Sequence, residues 1–514
     1  MVSRIYSAGV MGIDGFEVTV ECSAWDRIPR FELVGLPDAA VKEARGRAQA
    51  ACENSGFVFP PMDIMINLAP ADIKKEGSVF DLPIVLAILQ SARTIPAAFD
   101  FSDKCIVGEL SLSGEVRAVS GVLSMAIFAR ESGKREIFVP IGNAEEASVV
   151  EGITVYGVES LRQMVEHIKG VRPMSPVRRD PSLLDLSRRS PTLDFADVRG
   201  QLKAKRALEI AAAGGHNILM IGPPGAGKSM LAKRLPSILP DMSFPEALET
   251  TKVHSVSGTL ATGLITERPF RSPHHTVSSV GLVGGGAHPK PGEISLANCG
   301  VLFLDELPEF PKSVTEALRQ PLEDGKVTVT RAAAKVSYPA SFMLVCAMNP
   351  CKCGFFGDPT RKCTCTPQSI SKYLERVSGP LLDRIDIEIE LPAVSFDEIS
   401  SRDGGGEPSE KIRERVNAAR RFAAERLKEE GDDPNLLNAK MSPEMIRRHC
   451  ELDTEARELL REAFDALGLS ARGHDRILRV ARTIADLDGE KKITADHIAE
   501  AIMYRSLDRK YWKR

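Results

Sequence analysis

The spacing of hydrophobic and polar residues divides the chain into three parts. In residues 1–170, the runs DIMINLAP, REIFVP and ITVYGV predict strands, and the apolar run DLPIVLAILQSAR, which begins at Asp81, predicts a helix. Strands and helices alternate again over residues 191–395, where long insertions rich in Gly and Pro interrupt them. Residues 396–514 carry apolar positions at helical spacing. The pattern therefore predicts an α/β fold that ends in a helical domain.

The segment 171–190 shows little periodicity. It lies in the stretch VRPMSPVRRDPSLLDLSRRSP, which is rich in Pro and Ser and carries five Arg against two Asp. Such a composition is typical of a linker between domains. We therefore expect a first domain at 1–170, a linker at 171–190, an α/β core at 191–395 and a helical region at 396–514.

The composition is that of an ordinary globular protein. The 514 residues are 43% hydrophobic and 27% charged, and no apolar run approaches the ~18 residues of a membrane helix. The first stretch, MVSRIYSAGVMGIDGFEVTVEC, alternates like a strand and lacks the apolar block of a signal peptide. A net charge of -3 gives no overall attraction for nucleic acid, so DNA contacts must come from local basic clusters. We expect a cytoplasmic protein without membrane contact.

The clearest chemical signal is the segment HNILMIGPPGAGKSML. An apolar strand at 218–221 runs into a Gly-rich loop and then a predicted helix. In such a loop, backbone N–H groups surround phosphates at a helix N-terminus, the Lys adds a charge for the β- and γ-phosphates, and the Ser hydroxyl is a ligand for Mg²⁺. The sequence therefore predicts a site for ATP and Mg²⁺. Its residues are Gly222, Pro223, Pro224, Gly225, Ala226, Gly227, Lys228 and Ser229.

Three further polar groups follow predicted strands. In GVLFLDEL, Asp305 is expected to hold Mg²⁺ and Glu306 to polarise the attacking water. The apolar run SFMLVCAMNP, which we name the sensor strand, ends at Asn349; its amide could orient that water, with a simple turn residue as the equal alternative. Arg384, in SGPLLDRIDIEIELP, is either part of a structural salt bridge or an arginine finger for the γ-phosphate of a neighbouring subunit.

The order of these motifs resembles that of AAA+ ATPases. The longer segments FRSPHHT, GGGAHPKPGEISLANCGVLFLDELPEF and NPCKCGFFGD resemble the magnesium-chelatase-like AAA+ family, in its branch of bacterial competence proteins, over essentially the whole chain. The resemblance implies a P-loop core with an insert in its second helix, a hairpin KVTVTRAAAKVSYPA before the sensor strand, and a helical lid. It also implies that Arg472 takes the sensor-2 position of the lid, with Arg476 as second choice; ordinary arginines on the lid surface are the alternative.

Four of the ten cysteines lie together in NPCKCGFFGDPTRKCTCTPQ. They form two Cys-x-Cys pairs, with nine residues between the pairs. In a reducing compartment this spacing favours a metal, and four thiolates suit a tetrahedral structural zinc site that leaves no position open for catalysis. We favour zinc over free thiols or a redox pair. The predicted ligands are Cys351, Cys353, Cys363 and Cys365.

Part of the first domain resembles the proteolytic domain of Lon proteases. The similar segments are APADIKKEGSVFDLPIVLAIL and IVGELSLSGEVRAVSGVLSMAIFARESGKREIFVP. That domain uses a Ser/Lys pair, yet its lysine position falls at about Leu123, which cannot act as a base, and Ser78 only lies near the serine position. We therefore expect a non-proteolytic Lon-protease-like α+β domain, serving in assembly or DNA binding. Its cations form either a basic face or ordinary solvated helix surface: Lys42, Arg45, Arg47, Lys74 and Lys75.

The resemblance implies a homo-oligomeric ring, a hexamer, that hydrolyses ATP and translocates on DNA without sequence specificity. Branch migration of recombination intermediates in natural transformation is its expected task. Two alternatives stay open: a magnesium-chelatase motor subunit, which we expect to lack the Lon-like domain, and a MoxR-like chaperone that remodels proteins. Candidate contacts to the DNA backbone are Lys326, Arg331 and Lys335 in the hairpin and Arg268, Arg271 and Lys290 in the insert, with His274 and His275 as further candidates whose default use is packing.

Overall fold

The chain folds into two α/β regions followed by helices. The computed structural model describes residues 2–180, 193–261, 263–286, 289–330, 335–359, 361–393 and 406–512. Much of the predicted linker and the hairpin residue Arg331 lie outside the described residues. Within the described part of the chain, no helix has both the length and the apolar character needed to cross a membrane.

The first region contains a four-stranded mixed sheet and a three-stranded parallel sheet. The mixed sheet has the spatial order Val2–Met11, Asp14–Trp25, Asp63–Ala69 and Arg30–Val34, with only the last pair parallel. The parallel sheet has the spatial order Lys104–Ile106, Glu136–Pro140 and Thr154–Val158. A short hairpin pairs Glu109–Leu110 with Val116–Arg117. The helices are Ala39–Lys42, Ala44–Asn54, Asp81–Ser91, Val122–Glu131, Ala144–Ser148 and Leu161–Ile168, with a 3₁₀ turn at Ile141–Asn143.

The helix Asp81–Ser91 explains the long apolar run of the first region. Every residue from Asp81 to Gln90 is buried, so the helix is covered on all sides. Its first carboxylate, Asp81, binds Arg47 through two nitrogens at 2.7 and 2.9 Å. This pairing stabilises the buried charge, because an unpaired carboxylate there would be costly.

Both alternatives for the five cations, a basic face and a solvated helix surface, are wrong for Lys75 and Arg47. Lys75 is fully buried and donates to the Ile73 carbonyl at 2.8 Å, and Arg47 is engaged with Asp81. By contrast, Lys42 and Arg45 are exposed on short helices, and Lys74 pairs with Glu76. Tertiary packing, which a helical pattern does not reveal, decides which of these cations reach solvent.

The second region is a parallel five-stranded sheet. Its spatial order is Phe270–Arg271, Val301–Leu304, Met343–Met348, Ile218–Ile221 and Ile387–Glu390, with every neighbouring pair parallel. All carboxyl ends therefore meet at one edge, where ligands bind in open α/β sheets. The three central strands are fully buried, which agrees with their continuous apolar sequence.

Helices and two hairpins surround this sheet. The helices are Leu202–Gly214, Lys228–Ile238, Phe244–Ser257, Ser279–Val283, Glu293–Leu296, Lys312–Ala317, Arg319–Asp324, Pro367–Leu374 and Gly379–Leu382, with 3₁₀ turns at Phe195–Asp197 and Leu307–Glu309. The hairpins pair Gly284–Gly285 with Lys290–Pro291 and Lys326–Thr330 with Lys335–Pro339. The second pair consists of the two strands predicted from the alternation in KVTVT and KVSYP.

The C-terminal region is helical, as the sequence predicts. Its elements are Ser409–Glu429, Pro443–His449, Thr454–Leu467, Ala471–Asp488 and Ala495–Met503, with a 3₁₀ turn at Asn438–Lys440 and a π-helical turn at Asp508–Trp512. Arg476 links these helices to the core by donating to the carbonyls of Leu382 and Ile385, each at 3.2 Å. Arg505 adds a buried ion pair with Glu388 at 3.1 Å.

The first region packs against the core through the helix Phe244–Ser257. Ala247 of this helix belongs to the apolar cluster of the first region. At the same contact, the buried carboxylate of Glu146 accepts a hydrogen bond from Ser255 Oγ at 2.6 Å, and burial raises the pKa of Glu146. The helix that precedes the FRSPHHT segment is therefore in contact with the first region through Ala247 and Ser255.

Candidate nucleotide site and cysteine cluster

The Gly-rich loop joins a buried strand to a helix, as its sequence predicts. The strand Ile218–Ile221 is followed directly by Gly222, the first residue of the loop, and the helix begins at Lys228. Gly225 and Gly227 have φ values of +81° and +89°, a conformation that favours glycine because it lacks a Cβ atom. This backbone turns the loop around the start of the helix, where N–H groups without helical partners are available to an anion.

Lys228 lies inside this loop. Its ammonium donates to the carbonyls of Gly222 at 2.6 Å and Pro223 at 2.9 Å, and to Asn349 Oδ1 at 3.1 Å. Burial lowers the pKa of Lys228, and the carboxylates of Asp305 and Glu306 oppose that shift. The contact with Asn349 joins the loop to the end of the sensor strand, Met343–Met348.

Ser229 and Asp305 lie side by side at the same edge of the sheet. Ser229 Oγ donates to Asp305 Oδ2 at 2.6 Å, and the other carboxylate oxygen accepts from the backbone N–H of Glu306 at 3.0 Å. A hydroxyl and a carboxylate are hard oxygen donors of the kind that Mg²⁺ prefers. These two side chains therefore fit the metal that the sequence predicts.

Glu306 has a left-handed backbone and an exposed carboxylate. Its φ is +54°, which costs energy for a residue with a Cβ atom and is common at functional sites. The Nδ1 atom of His275 lies 3.7 Å from Glu306 Oε2, which is too far for a hydrogen bond. The His275 ring lies against the ring of His274, with 4.0 Å between centroids and 35° between the ring planes, and meets the ring of Phe310 edge-on.

Our sequence analysis missed this position of His275. The residue follows the edge strand Phe270–Arg271, which pairs with the strand Val301–Leu304 that leads to Glu306. The pairing brings the FRSPHHT segment beside the carboxylate, whereas we had considered His275 only for DNA contact or packing. The available signal is the family resemblance of the FRSPHHT segment. That resemblance indicates that the segment matters, but it does not show that His275 lies beside Glu306.

Arg384 forms a salt bridge within its own chain. It donates to the Pro380 carbonyl at 2.6 Å and pairs with the carboxylate of Glu323, and its side chain is 12% exposed. The flanking aspartates have other partners, because Asp386 meets His216 at 3.3 Å and Asp383 lies 3.7 Å from Arg476. An interaction of Arg384 with another subunit would therefore require it to leave Glu323.

The two lid arginines differ in burial. Arg476 is buried and engaged with the carbonyls of Leu382 and Ile385, which gives it a structural contact between lid and core. Arg472 is exposed in the first turn of the helix Ala471–Asp488. The sensor-2 role of Arg472 stays a prediction, with an ordinary lid-surface arginine as its alternative.

The candidate DNA contacts also fall into two groups. Arg268 donates to Glu246 and to the carbonyls of Pro240 and Cys299, and Arg271 binds Glu293 through two nitrogens at 2.7 and 2.8 Å. These internal partners do not favour DNA contact for either arginine. The exposed cations among the described candidates are Lys290, Lys326 and Lys335. Arg331 lies outside the described residues.

The four cysteines after the sensor strand converge on one point. All four Sγ atoms lie within 4.8 Å of one another, and the Sγ atom of Cys351 is 3.4 Å from that of Cys353 and 3.7 Å from that of Cys363. Zn–S bonds of ~2.3 Å at tetrahedral angles place sulfurs about 3.8 Å apart. Backbone N–H groups lower the pKa of the Cys353 thiol to about 5, which favours a thiolate. The cluster therefore fits a four-thiolate zinc site.

The core is a parallel sheet with a P-loop on an interior strand, and its helical lid follows in the chain. The two carboxylates follow the strand Val301–Leu304, which the sensor strand separates from the P-loop strand. This arrangement defines the AAA+ class of P-loop proteins. Three family profiles match this chain. They are described as magnesium chelatase, subunit ChlI, at residues 194–399; subunit ChlI of Mg-chelatase, at 20–143; and magnesium chelatase, subunit ChlI C-terminal, at 406–505.

Whole-chain relatives narrow this assignment. The competence protein ComM of Haemophilus influenzae is 44% identical over 512 residues, with 98% of this chain and 97% of the relative covered. The uncharacterized protein YifB of Escherichia coli is 42% identical over 510 residues, with 99% and 98% covered. The peroxisomal Lon protease homolog 2 of Caenorhabditis elegans is 27% identical over 146 residues, covering 27% of this chain and 18% of that protease. The chain belongs to the magnesium-chelatase-like AAA+ family that includes ComM and YifB.

Proposed function

We propose that this protein is a ring-forming AAA+ ATPase that translocates on DNA and drives branch migration of recombination intermediates. The observation that carries the proposal is the convergence of Lys228, Ser229, Asp305, Glu306 and Asn349 at the carboxyl edge of one parallel sheet. A site with these groups can bind a nucleoside triphosphate and activate water. The full-length similarity to a protein named for competence supports a task in natural transformation.

The chemistry follows from the positions of these side chains. Lys228 exchanges its loop carbonyls for the β- and γ-phosphates of ATP. Ser229 and Asp305 are the residues that would hold Mg²⁺, and the bound ion would supply positive charge against the phosphates. Glu306 polarises the attacking water, and Asn349 orients that water from the end of the sensor strand. Hydrolysis is thus driven by positioning and electrostatics, the usual route for phosphoryl transfer.

Subunit contacts complete the site in this proposal. Arg384 leaves Glu323 when a neighbouring subunit binds ATP and reaches the γ-phosphate across the interface. Arg472 contacts the nucleotide of its own chain from the exposed first turn of the lid helix. A closed ring, which we propose to be a hexamer, gives every subunit the same pair of contacts.

Exposed lysines supply the DNA contacts. Lys290, Lys326 and Lys335, together with Arg331 outside the described residues, bind phosphates in the ring pore without reading sequence.

We propose the domain limits 1–170, 191–395 and 396–514, with a linker at 171–190 and a Lon-like first domain that serves assembly or DNA binding. We also propose a structural zinc ion on the cysteine cluster and a cytoplasmic location.

The decisive experiment is to measure the ATPase rate of the purified protein with forked, Holliday-junction and linear DNA, and without DNA. We expect DNA to raise the rate, and the protein to move a Holliday junction only when ATP can be hydrolysed. An ATPase rate that is the same with every form of DNA as without DNA would contradict the proposed DNA motor. The two alternative functions would then be favoured.

The magnesium-chelatase motor subunit is the stronger alternative, because all three family descriptions name magnesium chelatase. We had expected such a subunit to lack the first domain, yet one of these descriptions matches residues 20–143. The presence of that domain therefore does not separate the alternatives, whereas DNA-stimulated hydrolysis does. A MoxR-like chaperone would respond to a protein substrate instead.

A further inference from the structure

The cysteine loop, which we define as residues 351–365, packs against the nucleotide loop. Gly354 is buried, and a methyl group added to it would lie 2.5 Å from Cδ and 2.9 Å from Cγ of Pro224. No real Cβ atom approaches another carbon so closely, so the backbone at Gly354 already touches Pro224. The proposed zinc site and the proposed ATP site are therefore in direct contact.

A second connection runs through the sensor strand. Asn349 accepts a hydrogen bond from Lys228 at 3.1 Å, and Cys351 follows two residues later with its side chain fully buried. The first metal ligand is therefore covalently close to the amide that holds the nucleotide-binding lysine. The short stretch from Asn349 to Gly354 therefore joins the contact with Lys228 to the contact with Pro224.

The far side of the cysteine loop is fixed by the C-terminal turn. The ring of Phe356 meets the ring of Tyr511 edge-on, with 6.3 Å between centroids. Tyr511 in turn donates to Glu390 at 2.8 Å, in the strand that pairs with Ile218–Ile221. The loop is thus held between the nucleotide loop on one side and the edge of the sheet on the other.

We propose that the cysteine loop is a metal-dependent support for the nucleotide loop, so that zinc occupancy sets the affinity for ATP. A closed four-thiolate site fixes the shape of a short loop outright. With zinc bound, Gly354 holds Pro224 and the P-loop in the shape that accepts phosphates; without zinc, this support is lost. The inference rests on the proposed nucleotide and zinc sites, and it makes Gly354 a positioning residue.

Two glycines of the loop provide a matched test. Gly354 and Gly357 have φ values of +85° and +80°, so an alanine at either position imposes similar backbone strain. Only Gly354→Ala places a methyl group against Pro224, because the nearest atom to a methyl at Gly357 is Lys510 Nζ at 3.8 Å. We expect Gly354→Ala to raise the KM for ATP and the Kd for a fluorescent ATP analogue about tenfold, the effect of ~1.4 kcal/mol.

In the same experiment, Gly357→Ala should leave KM and Kd near the wild-type values. Both variants should keep the wild-type zinc content and retain kcat at saturating ATP, which a general loss of folding would not do. Equal changes in KM for the two variants would overturn the inference, since strain in the loop would then explain both. Loss of kcat without a change in Kd would overturn it as well.

Metal removal tests the zinc dependence without any substitution. Zinc is removed from the full chain with a chelator under reducing conditions, Mg²⁺ is restored, and the Kd for the ATP analogue is measured before removal, after removal and after zinc is added back. We expect weaker binding after removal and recovery with zinc. Unchanged affinity in zinc-free protein would overturn this inference alone. Protein that never contains zinc would overturn the zinc site, and normal zinc without any ATP binding would overturn the nucleotide site.

Discussion

The core and the first domain differ in what surrounds their polar side chains. In the core, Lys228 contacts Asn349, and Ser229 contacts Asp305. In the first domain, Leu123, which the sequence predicts near the position of the Lon lysine, is fully buried, while the hydroxyl of Ser78 donates to the carboxylate of Glu109.

The comparison teaches that a shared fold does not carry chemistry with it. The similarity to the peroxisomal Lon protease homolog covers 27% of this chain, and we expect it to reflect a shared scaffold. The nucleotide site, in contrast, depends on individual side chains that meet at strand ends. Substitutions in the two regions should therefore have very different effects on catalysis.

The largest effect is expected at Glu306. Glu306→Gln removes the carboxylate that polarises water but keeps the size of the side chain. ATP hydrolysis should fall about 10³-fold or more, while the Kd for ATP stays near the wild-type value. Single-turnover hydrolysis together with equilibrium ATP binding measures both quantities.

Lys228→Ala is the matching control for that prediction. It removes the positive charge from the nucleotide loop, so the Kd for ATP should rise. The loss of ATP binding then lowers hydrolysis as a consequence. Normal turnover in Glu306→Gln would contradict the assignment of Glu306. A Lys228→Ala variant with unchanged affinity would contradict the loop as the phosphate site.

The next effect concerns Arg384, which distinguishes a finger from a structural salt bridge. Arg384→Ala should bind ATP normally and hydrolyse it about 10³-fold more slowly. Mixing it with an excess of Lys228→Ala subunits should restore part of the activity, because each variant supplies what the other lacks across an interface. The measurement is the ATPase rate of mixtures against that of each variant alone.

Glu323→Gln provides the control, because it breaks the same salt bridge and leaves the arginine in place. It should retain hydrolysis if Arg384 acts as a finger. Equal loss of activity and of thermal stability in both variants would favour the structural salt bridge. Mixtures that never exceed the sum of their components would place the action of Arg384 within its own subunit.

The sequence predicted the parts of the site that depend on local order. The strand at 218–221, the Gly-rich loop and the following helix are contiguous, so their spacing alone indicates the site. The same holds for the cysteines, since two Cys-x-Cys pairs in one loop can meet without help from distant residues. The two hairpin strands beginning at Lys326 and Lys335 also follow from alternation within one segment.

Contacts between distant segments could not be predicted in this way. His275 reaches Glu306 because a two-residue edge strand pairs beside Val301 and Leu302, and so short a strand has no periodicity to detect. Arg268 and Arg271 looked available for DNA because their carboxylate partners, Glu246 and Glu293, are 22 residues away in the chain. Charge alone therefore overestimates the number of free cations.

The hairpin should separate DNA stimulation from hydrolysis. Arg331→Ala combined with Lys335→Ala should abolish the DNA-stimulated part of the ATPase rate and branch migration, while hydrolysis without DNA is retained. Wild-type DNA binding should weaken steeply with salt and show little sequence preference, because counterion release dominates backbone contacts. Stimulated ATPase and binding at several salt concentrations are the measurements.

The control removes two exposed cations from the first domain, with Lys42→Ala and Arg45→Ala. This double variant changes the net charge by the same amount as the hairpin variant, but its substitutions lie in the first domain instead of the hairpin. Equal loss of DNA stimulation in both double variants would contradict a specific role of the hairpin and would indicate a DNA-binding first domain. Joint loss of ring assembly and of basal ATPase would indicate a subunit contact instead.

A smaller effect is expected at His275. Because its Nδ1 atom lies 3.7 Å from Glu306 Oε2, His275→Ala should disturb the position of the carboxylate and lower kcat about tenfold, with little change in KM. His275→Gln should restore part of the rate. His274→Ala is the control, since His274 forms a hydrogen bond with Thr276 and meets the His275 ring at a tilt of 35°. Equal losses in the two alanine variants would assign the effect to packing.

The smallest effect is expected in the first domain, at Ser78. Its hydroxyl is bound to Glu109, and the sequence predicts the buried Leu123 where a Lon protease has its lysine. Ser78→Ala should therefore remove one hydrogen bond at a cost of about 1 kcal/mol. ATPase and branch migration should match the wild type, and no peptide hydrolysis should be detectable in either protein. Leu123→Lys should destabilise the domain by burying an unpaired charge without creating a protease. Peptide hydrolysis by the wild type that disappears in Ser78→Ala would reverse the comparison and make the first domain a second active site.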